Sequence, residues 1–183
     1  MWLQLLPWLM VWCCARAQAA SCPKLELKKD FSLDKYMGVW YEIQAQESIF
    51  QRVKSCLSSD YQREGEVIKV TSQGLDSSGK PAETRSTLRV VQPDNPAHMV
   101  TDFVMGIDPP FDIVDTDYVT FSCAHSCVSI MGIKTEFVFI YSRNRTLDTV
   151  NVEHCHKIFK NYGIKISELI FTPQTGCHQH YDL

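Results

Sequence analysis

Beyond its first twenty residues the sequence has no apolar run long enough to cross a bilayer and no excess of positive charge. It also lacks any Cys-x2-Cys pair, Gly-x-Ser-x-Gly elbow, His-Glu-x-x-His helix or phosphate-binding loop. Each absence removes a class of function. A formal charge of −3 argues against a nucleic-acid binder, which normally carries a basic face, and gives no reason to expect anionic membranes as the main partner. The missing motifs remove the commonest hydrolase, zincin and nucleotide-binding readings. No internal repeat or low-complexity linker stands out, so one domain is expected from 183 residues.

What is present begins with Trp2 to Cys14, an apolar stretch followed by Ala15-Arg16-Ala17-Gln18-Ala19-Ala20. The run is shorter than the roughly 20 residues a membrane span needs, and the small residues suit a signal peptidase. Residues 1–20 are therefore expected to be a cleaved signal, although no Lys or Arg precedes the apolar stretch, and residues 21–183 one mature domain. Cleavage removes Arg16 and no acid, which takes the formal charge from −3 to −4.

Cys13 and Cys14 would leave with the signal. Cys22, Cys56, Cys123, Cys127, Cys155 and Cys177 remain, and an even count in a secreted chain reads as three disulfides. A metal site is not expected. Cys123-x3-Cys127 has no partner pair of matching spacing, His154 and His156 cannot share a helix face, and Cys177-His178-Gln179-His180 loses its best ligand if Cys177 is bridged.

From Gly38 to Arg143 the chain reads as strands near 39–46, 57–63, 66–72, 83–91, 98–105, 111–115, 118–127 and 133–142. Glu64-Gly65, Gln73-Gly74, Ser77-Ser78-Gly79-Lys80-Pro81, Pro93-Asp94-Asn95-Pro96 and Asp108-Pro109-Pro110 punctuate them. The period then changes. Val152, Cys155, Ile158, Phe159 and Tyr162 follow helical spacing, with Asp148 or Thr149 to cap and Gly163 to stop. Residues 166–171 could add a last strand. Eight antiparallel strands suit an all-β, up-and-down β-barrel with the helix against its outer wall. An immunoglobulin-type sandwich accounts poorly for the helix, and its Cys-Trp-Cys order is missing.

Strand alternation constrains the cysteines without fixing their pairing. Cys123 and Cys127 share a face. If that face is outward, one could bond to Cys155 on the helix stripe and the other to Cys22, leaving Cys56 for Cys177. Fifteen pairings remain open on the sequence alone.

Asp34-Lys35-Tyr36-Met37-Gly38-Val39-Trp40-Tyr41-Glu42-Ile43, Thr116-Asp117-Tyr118, a strand-ending Arg143 and one late helix together resemble the lipocalin family, small secreted barrels that carry apolar molecules. The segments Thr116 to Cys127 and Val152 to Asn161 look like its branch of crustacyanins, apolipoprotein D and insect bilin-binding proteins. The resemblance implies the pairings Cys22–Cys127, Cys56–Cys177 and Cys123–Cys155, with Cys22–Cys123 as the swap to exclude. It implies that Gly38, Trp40, Thr116, Asp117, Tyr118 and Arg143 close the barrel floor. It also places Tyr61, Phe103 and Phe139 at ligand-lining positions.

The residues carry part of this independently. In an up-and-down barrel Trp40 and Arg143 are neighbours, so a cation–π contact is expected. Parity from Arg143 turns Tyr141, Phe139 and Phe137 inward as an aromatic column, with Ser122, Thr120, Glu42 and Gln44 as polar wall candidates. Loops 47–55, 107–111 and 128–134 should border the mouth, where a receptor or a second copy could dock. Asn144-Arg145-Thr146 is an N-glycosylation acceptor.

The expected function is non-enzymatic: a secreted extracellular carrier of a sterol or steroid, fatty acid, retinoid, carotenoid or bilin. No cofactor is required, though a lipophilic ligand or pigment could be bound, and neither nucleic acid nor stable membrane insertion is expected. The alternatives are a lipocalin-type isomerase using a free cysteine inside the barrel and a ligand-independent protein-interaction module such as a protease inhibitor.

Overall fold

A computed structural model of the chain describes residues 21–48, 51–102 and 108–177. A one-turn helix α1 (Leu33–Tyr36) leads into β1 (Gly38–Gln46), β2 (Ser55–Glu64), β3 (Val67–Leu75), β4 (Pro81–Val90), β5 (His98–Thr101), β6 (Pro110–Thr116), β7 (Phe121–Ile130) and β8 (Ile133–Ser142). Helix α2 (Thr149–Asn161), a 3-10 turn (Ile166–Glu168) and a short β9 (Leu169–Phe171) follow. Each of β1 to β7 pairs antiparallel with the next, and β1 also pairs with β8, so the eight strands close into a barrel with α2 outside. Closing a sheet on itself pairs strand edges that an open sheet would leave exposed.

β1 is shared in an unequal way. Its first half, Gly38 to Tyr41, faces Tyr61 to Ser58 of β2. Beyond that point β2 diverges, and Gln44 to Gln46 face Phe171 to Leu169 of β9. Gln174 bridges the split by donating through Nε2 to the carbonyls of Glu42 (2.9 Å) and Leu57 (2.8 Å).

Two apolar clusters follow from strand alternation. The interior holds Tyr36, Trp40, Tyr61, Ile68, Leu88, Met99, Phe111, Ile113, Ala124 and Tyr141. The second lies between the outer wall and α2: Ile43, Val114, Cys123, Val138 and Ile140 meet Val152, Cys155, Phe159 and Ile164. Thus β7 alternates Cys123 outward and Ala124 inward, with both faces covered. A strand buried on two sides reads as nearly continuous burial rather than as alternation.

Disulfides join Cys22 to Cys127, Cys56 to Cys177 and Cys123 to Cys155, across 105, 121 and 32 residues. In the chain-entropy account, closing loops of this length contributes roughly 3–5 kcal/mol for each bridge taken alone.

Several element limits differ from the sequence expectation. β7 starts at Phe121, not at 118, because Asp117 Oδ1 accepts the backbone N–H groups of Val119, Thr120 and Phe121 (3.1, 2.7 and 3.0 Å) and holds residues 117–120 as a turn. Tyr118 consequently sits at φ +70°. Thr120 therefore lies in that turn, where its carbonyl accepts the Arg143 N–H, and not on a strand wall. Asp148 occupies the N-cap of α2 but makes no side-chain cap bond. Residues 166–171 divide into a 3-10 turn and a three-residue strand. A register shift between Glu42 and Gln44 turns Gln44 outward, where its Oε1 lies 2.6 Å from His156 Nε2 of α2, so Gln44 is not part of the interior wall.

Candidate ligand site and barrel floor

The floor is assembled from three chain segments. Gly38 adopts φ +91°, a conformation that disfavours side chains, and so lets α1 turn into β1 beneath the barrel. Trp40 follows two residues later and is fully buried, its Nε1 donating to the Tyr36 carbonyl at 2.8 Å. The Arg143 guanidinium lies over the indole, 3.8 Å from the ring centroid. It also donates to the carbonyls of Tyr118 (2.9 Å), Val39 (2.8 Å), Lys35 (3.1 Å), Tyr36 (3.1 Å) and Met37 (2.9 Å). One planar cation thereby satisfies the carbonyl ends of α1, the start of β1 and the Asp117 turn. Thr116 Oγ1 donates to the Phe121 carbonyl (2.6 Å) and accepts the Tyr118 N–H (2.9 Å), which fixes that turn from the other side. The Tyr118 hydroxyl accepts the Ser32 N–H at 3.0 Å.

Above the floor stands the aromatic column. Tyr36 stacks on Trp40 (centroids 5.0 Å) and meets Tyr61 edge-on (5.5 Å). Tyr61 stacks with Phe111 (6.2 Å), Phe111 approaches Phe139 (6.2 Å), and Phe139 stacks on Tyr141 (5.7 Å). The register sets Tyr141, Phe139 and Phe137 opposite Ser122, Ala124 and Ser126 of β7. Phe139 and Phe137 are only half-buried, whereas the rings below them are buried. Phe103, Ile49 and Phe50 lie outside the described residues. Val53 of the mouth loop packs in, 2% exposed, against Gly74, where a Cβ would collide with Val53 Cγ1 and the Ser55 carbonyl.

Polar groups punctuate this interior. The Tyr36 hydroxyl and Ser122 Oγ are 3.1 Å apart, Ser59 Oγ and Ser72 Oγ 2.8 Å, and the Tyr61 and Tyr141 hydroxyls are bonded to one another. Glu42 is buried and accepts at Oε1 from Thr172 Oγ1 (2.6 Å) and Gln51 Nε2 (2.8 Å). Burial pushes the ionisation of Tyr36, Tyr61 and Tyr141 far up, so all three stay phenols. Phe111 and Tyr36 were not singled out as wall residues in the sequence. The alternation Phe111-Asp112-Ile113 carried a usable signal, since Ile113 and Phe111 share a face.

Among the described residues three histidines meet carboxylates on the outer face of the wall, His125 being buried there. His98 Nδ1 lies 2.6 Å from Asp112 Oδ1, His125 Nε2 3.0 Å from Glu136 Oε1, and His154 Nε2 2.7 Å from Asp115 Oδ2. Among the described residues one group has metal-ligand proximity, His125, Cys127 and Glu136. Cys127 is bridged to Cys22, so its sulfur offers no thiolate. An outer groove of about 550 Å³ between residues 26–29, β6 and α2 has Lys28 ion-paired to Asp115 at 2.9 Å and lies across the wall from the aromatic column. Asn144 is exposed in the turn after β8.

A closed eight-stranded barrel with one helix outside, a sealed floor and an aromatic interior is the build of the lipocalins. The lipocalin-like domain model matches residues 31–174, and the chain belongs to that family. It is 27% identical over 160 residues to the crustacyanin-A1 subunit of Homarus gammarus, covering 87% of each chain. It is 27% identical over 159 residues to apolipoprotein D of Macaca fascicularis, covering 85% of this chain and 84% of the relative. The solved structure of lobster apocrustacyanin A1 superimposes with a TM-score of 0.72 at 26% identity, covering 79% of this chain and 81% of that one. Insecticyanin of Manduca sexta gives 0.71 at 19% identity over 85% and 87%, a likeness of fold.

Proposed function

We propose that this chain is a secreted, non-catalytic carrier that takes one small hydrophobic molecule into the barrel above the Trp40–Arg143 floor. The observation that carries the reading is the half-buried state of Phe137 and Phe139, which face inward at register positions above buried rings. Burial of apolar ligand surface there contributes about 25 cal/mol per Å² before the entropic costs of binding. Sterols or steroids, fatty acids, retinoids, carotenoids and bilins are the classes the family suggests, each held as ligand and none as a required cofactor.

Residues 1–20 act as the signal, 21–183 form the exported domain, and Asn144 takes a glycan. The three disulfides suit an oxidising compartment. They also weaken the isomerase reading, because every cysteine from Cys22 onward is bridged and no thiol remains among the described residues. The hairpin Ile130-Met131-Gly132-Ile133 leaves Met131 99% and Ile133 72% exposed, a surface suited to a receptor or a second copy.

The test is extraction. Chain purified from its native source, extracted with organic solvent and analysed by mass spectrometry, yields one apolar compound in near-stoichiometric amount. An empty extract, together with no quenching of Trp40 fluorescence by retinol, progesterone, arachidonate, astaxanthin or biliverdin, overturns the reading.

A further inference from the structure

Glu42 is an ionisable side chain in the barrel interior whose burial the floor does not explain. Alternation along β1 sets it on the face of Trp40, and the β1–β8 register sets it opposite Tyr141. It is 2% exposed. Both of its hydrogen-bond donors, Thr172 Oγ1 and Gln51 Nε2, arrive at Oε1, and among the described residues none reaches Oε2. Tyr61 and Tyr141 stand within electrostatic range of the carboxyl, their hydroxyls joined to one another.

Among the described residues the two cations that act on this end, Lys54 on Glu42 and Arg143 on Tyr61, are both engaged elsewhere. Lys54, the ammonium nearest in effect to Glu42, is exposed and donates to the Ser48 carbonyl at 3.0 Å. Arg143 lies beneath Trp40 with its guanidinium committed to backbone carbonyls. A ligand carboxylate brought to this end would lose its hydration, gain no counter-ion and face a group of its own kind. A hydroxyl or carbonyl would meet a carboxyl and two phenols able to complete its hydrogen bonds. Burial also raises the Glu42 carboxyl above its ordinary range, against the opposing pull of Thr172, Gln51 and Lys54.

We propose that Glu42, with the Tyr61–Tyr141 pair, forms the polar end of the ligand site and selects lipophiles ending in a hydroxyl or carbonyl over those ending in a carboxylate. The proposal rests on the carrier reading and narrows it, since fatty acids and other anionic lipids become the disfavoured members of its ligand classes.

The experiment uses a pair of ligands that share a carbon skeleton. All-trans retinol and all-trans retinoate are titrated into the secreted chain at neutral pH, with quenching of Trp40, the only tryptophan beyond residue 12, as the readout. Retinol binds at least about tenfold more tightly. In Glu42→Gln, which keeps the shape and the Oε1 acceptor, the ratio falls to within about threefold, mainly because retinoate gains. Equal binding of the pair by the native chain, or tighter binding of retinoate, overturns the selectivity and leaves the carrier reading standing. Binding of neither overturns both. Should Glu42→Gln not be secreted, hexadecanol against hexadecanoate on the native chain decides, and no preference for the alcohol overturns the proposal.

Discussion

At the lower end of the barrel Trp40 and Tyr36 are fully buried, the indole nitrogen is bonded, and one arginine draws together carbonyls from α1, β1 and the Asp117 turn. Further up the same wall Phe139 stacks on Tyr141 yet is only half-buried, as is Phe137. Both regions are aromatic and both are lined by inward-facing positions of the same strands. They differ in what occupies the centre. Below, side chains fill it and a cation locks them. Above, Phe137 and Phe139 are only half-buried. Tight packing makes the lower end a source of stability, whereas surface left uncovered above is stabilised only when something binds there.

Arg143→Ala is the largest way to break this contrast. It removes the cation–π contact, worth about 0.5–2 kcal/mol, and leaves buried carbonyls without their donor, at about 1–3 kcal/mol for each that water cannot reach. A loss of roughly 3 kcal/mol is expected in urea unfolding followed by circular dichroism, with retinol affinity of the folded chain changed by less than about threefold. Arg143→Lys should recover little, because one ammonium cannot span acceptors on three segments. A variant that unfolds like the native chain but no longer quenches with retinol would reverse the roles assigned to floor and wall.

Much of this division was legible in the sequence, for identifiable reasons. Turn residues and alternation exposed the eight strands, and the change to helical period exposed α2. Parity counted back from Arg143 put Tyr141, Phe139 and Phe137 on one face. Three features were not legible. The acceptors of Arg143 are backbone carbonyls, which carry no residue signature. The register shift at Ile43 breaks the alternation that would have kept Gln44 beside Glu42 in the interior. The Asp117 side chain captures three N–H groups and delays β7 by three residues, although Tyr118-Val119-Thr120 has the composition of a strand.

Phe139→Ala sharpens the contrast from the upper side. Truncating a fully buried phenylalanine costs about 3–5 kcal/mol, and a half-buried ring should cost roughly half that. The neighbouring rings Tyr141, stacked, and Phe111, tilted, lose a partner, yet the floor below is untouched. Retinol affinity is expected to fall about tenfold, as the contact area of one ring is withdrawn from the ligand. Stability and affinity should therefore move in the opposite proportion to Arg143→Ala. Equal proportions in the two variants would mean that floor and wall form one undivided core.

The smallest effect is expected at Asp117, and its size depends on pH. Burial pushes this carboxyl up, but the N–H groups of Phe121, Thr120 and Val119 outweigh it and hold the carboxyl below the ordinary aspartate range. A carboxyl depressed in the folded state favours folding fully above its unfolded value of about 3.9, and that contribution is lost as pH falls through the lower folded value. Asp117→Asn keeps the side-chain oxygen that accepts the three N–H groups but removes the charge, which also acts on Arg143. The variant should be less stable at neutral pH by under about 1 kcal/mol, since the site is largely solvated. The gap should begin to close below about pH 4, where the unfolded chain's carboxyl takes up its proton, and be gone once pH has passed the lower folded value. Urea midpoints measured from pH 7 down to pH 2.5 give the test. A gap that stays constant over that range would show the turn to be held by shape alone, and the floor's dependence on Arg143 would then owe nothing to the charge beside it.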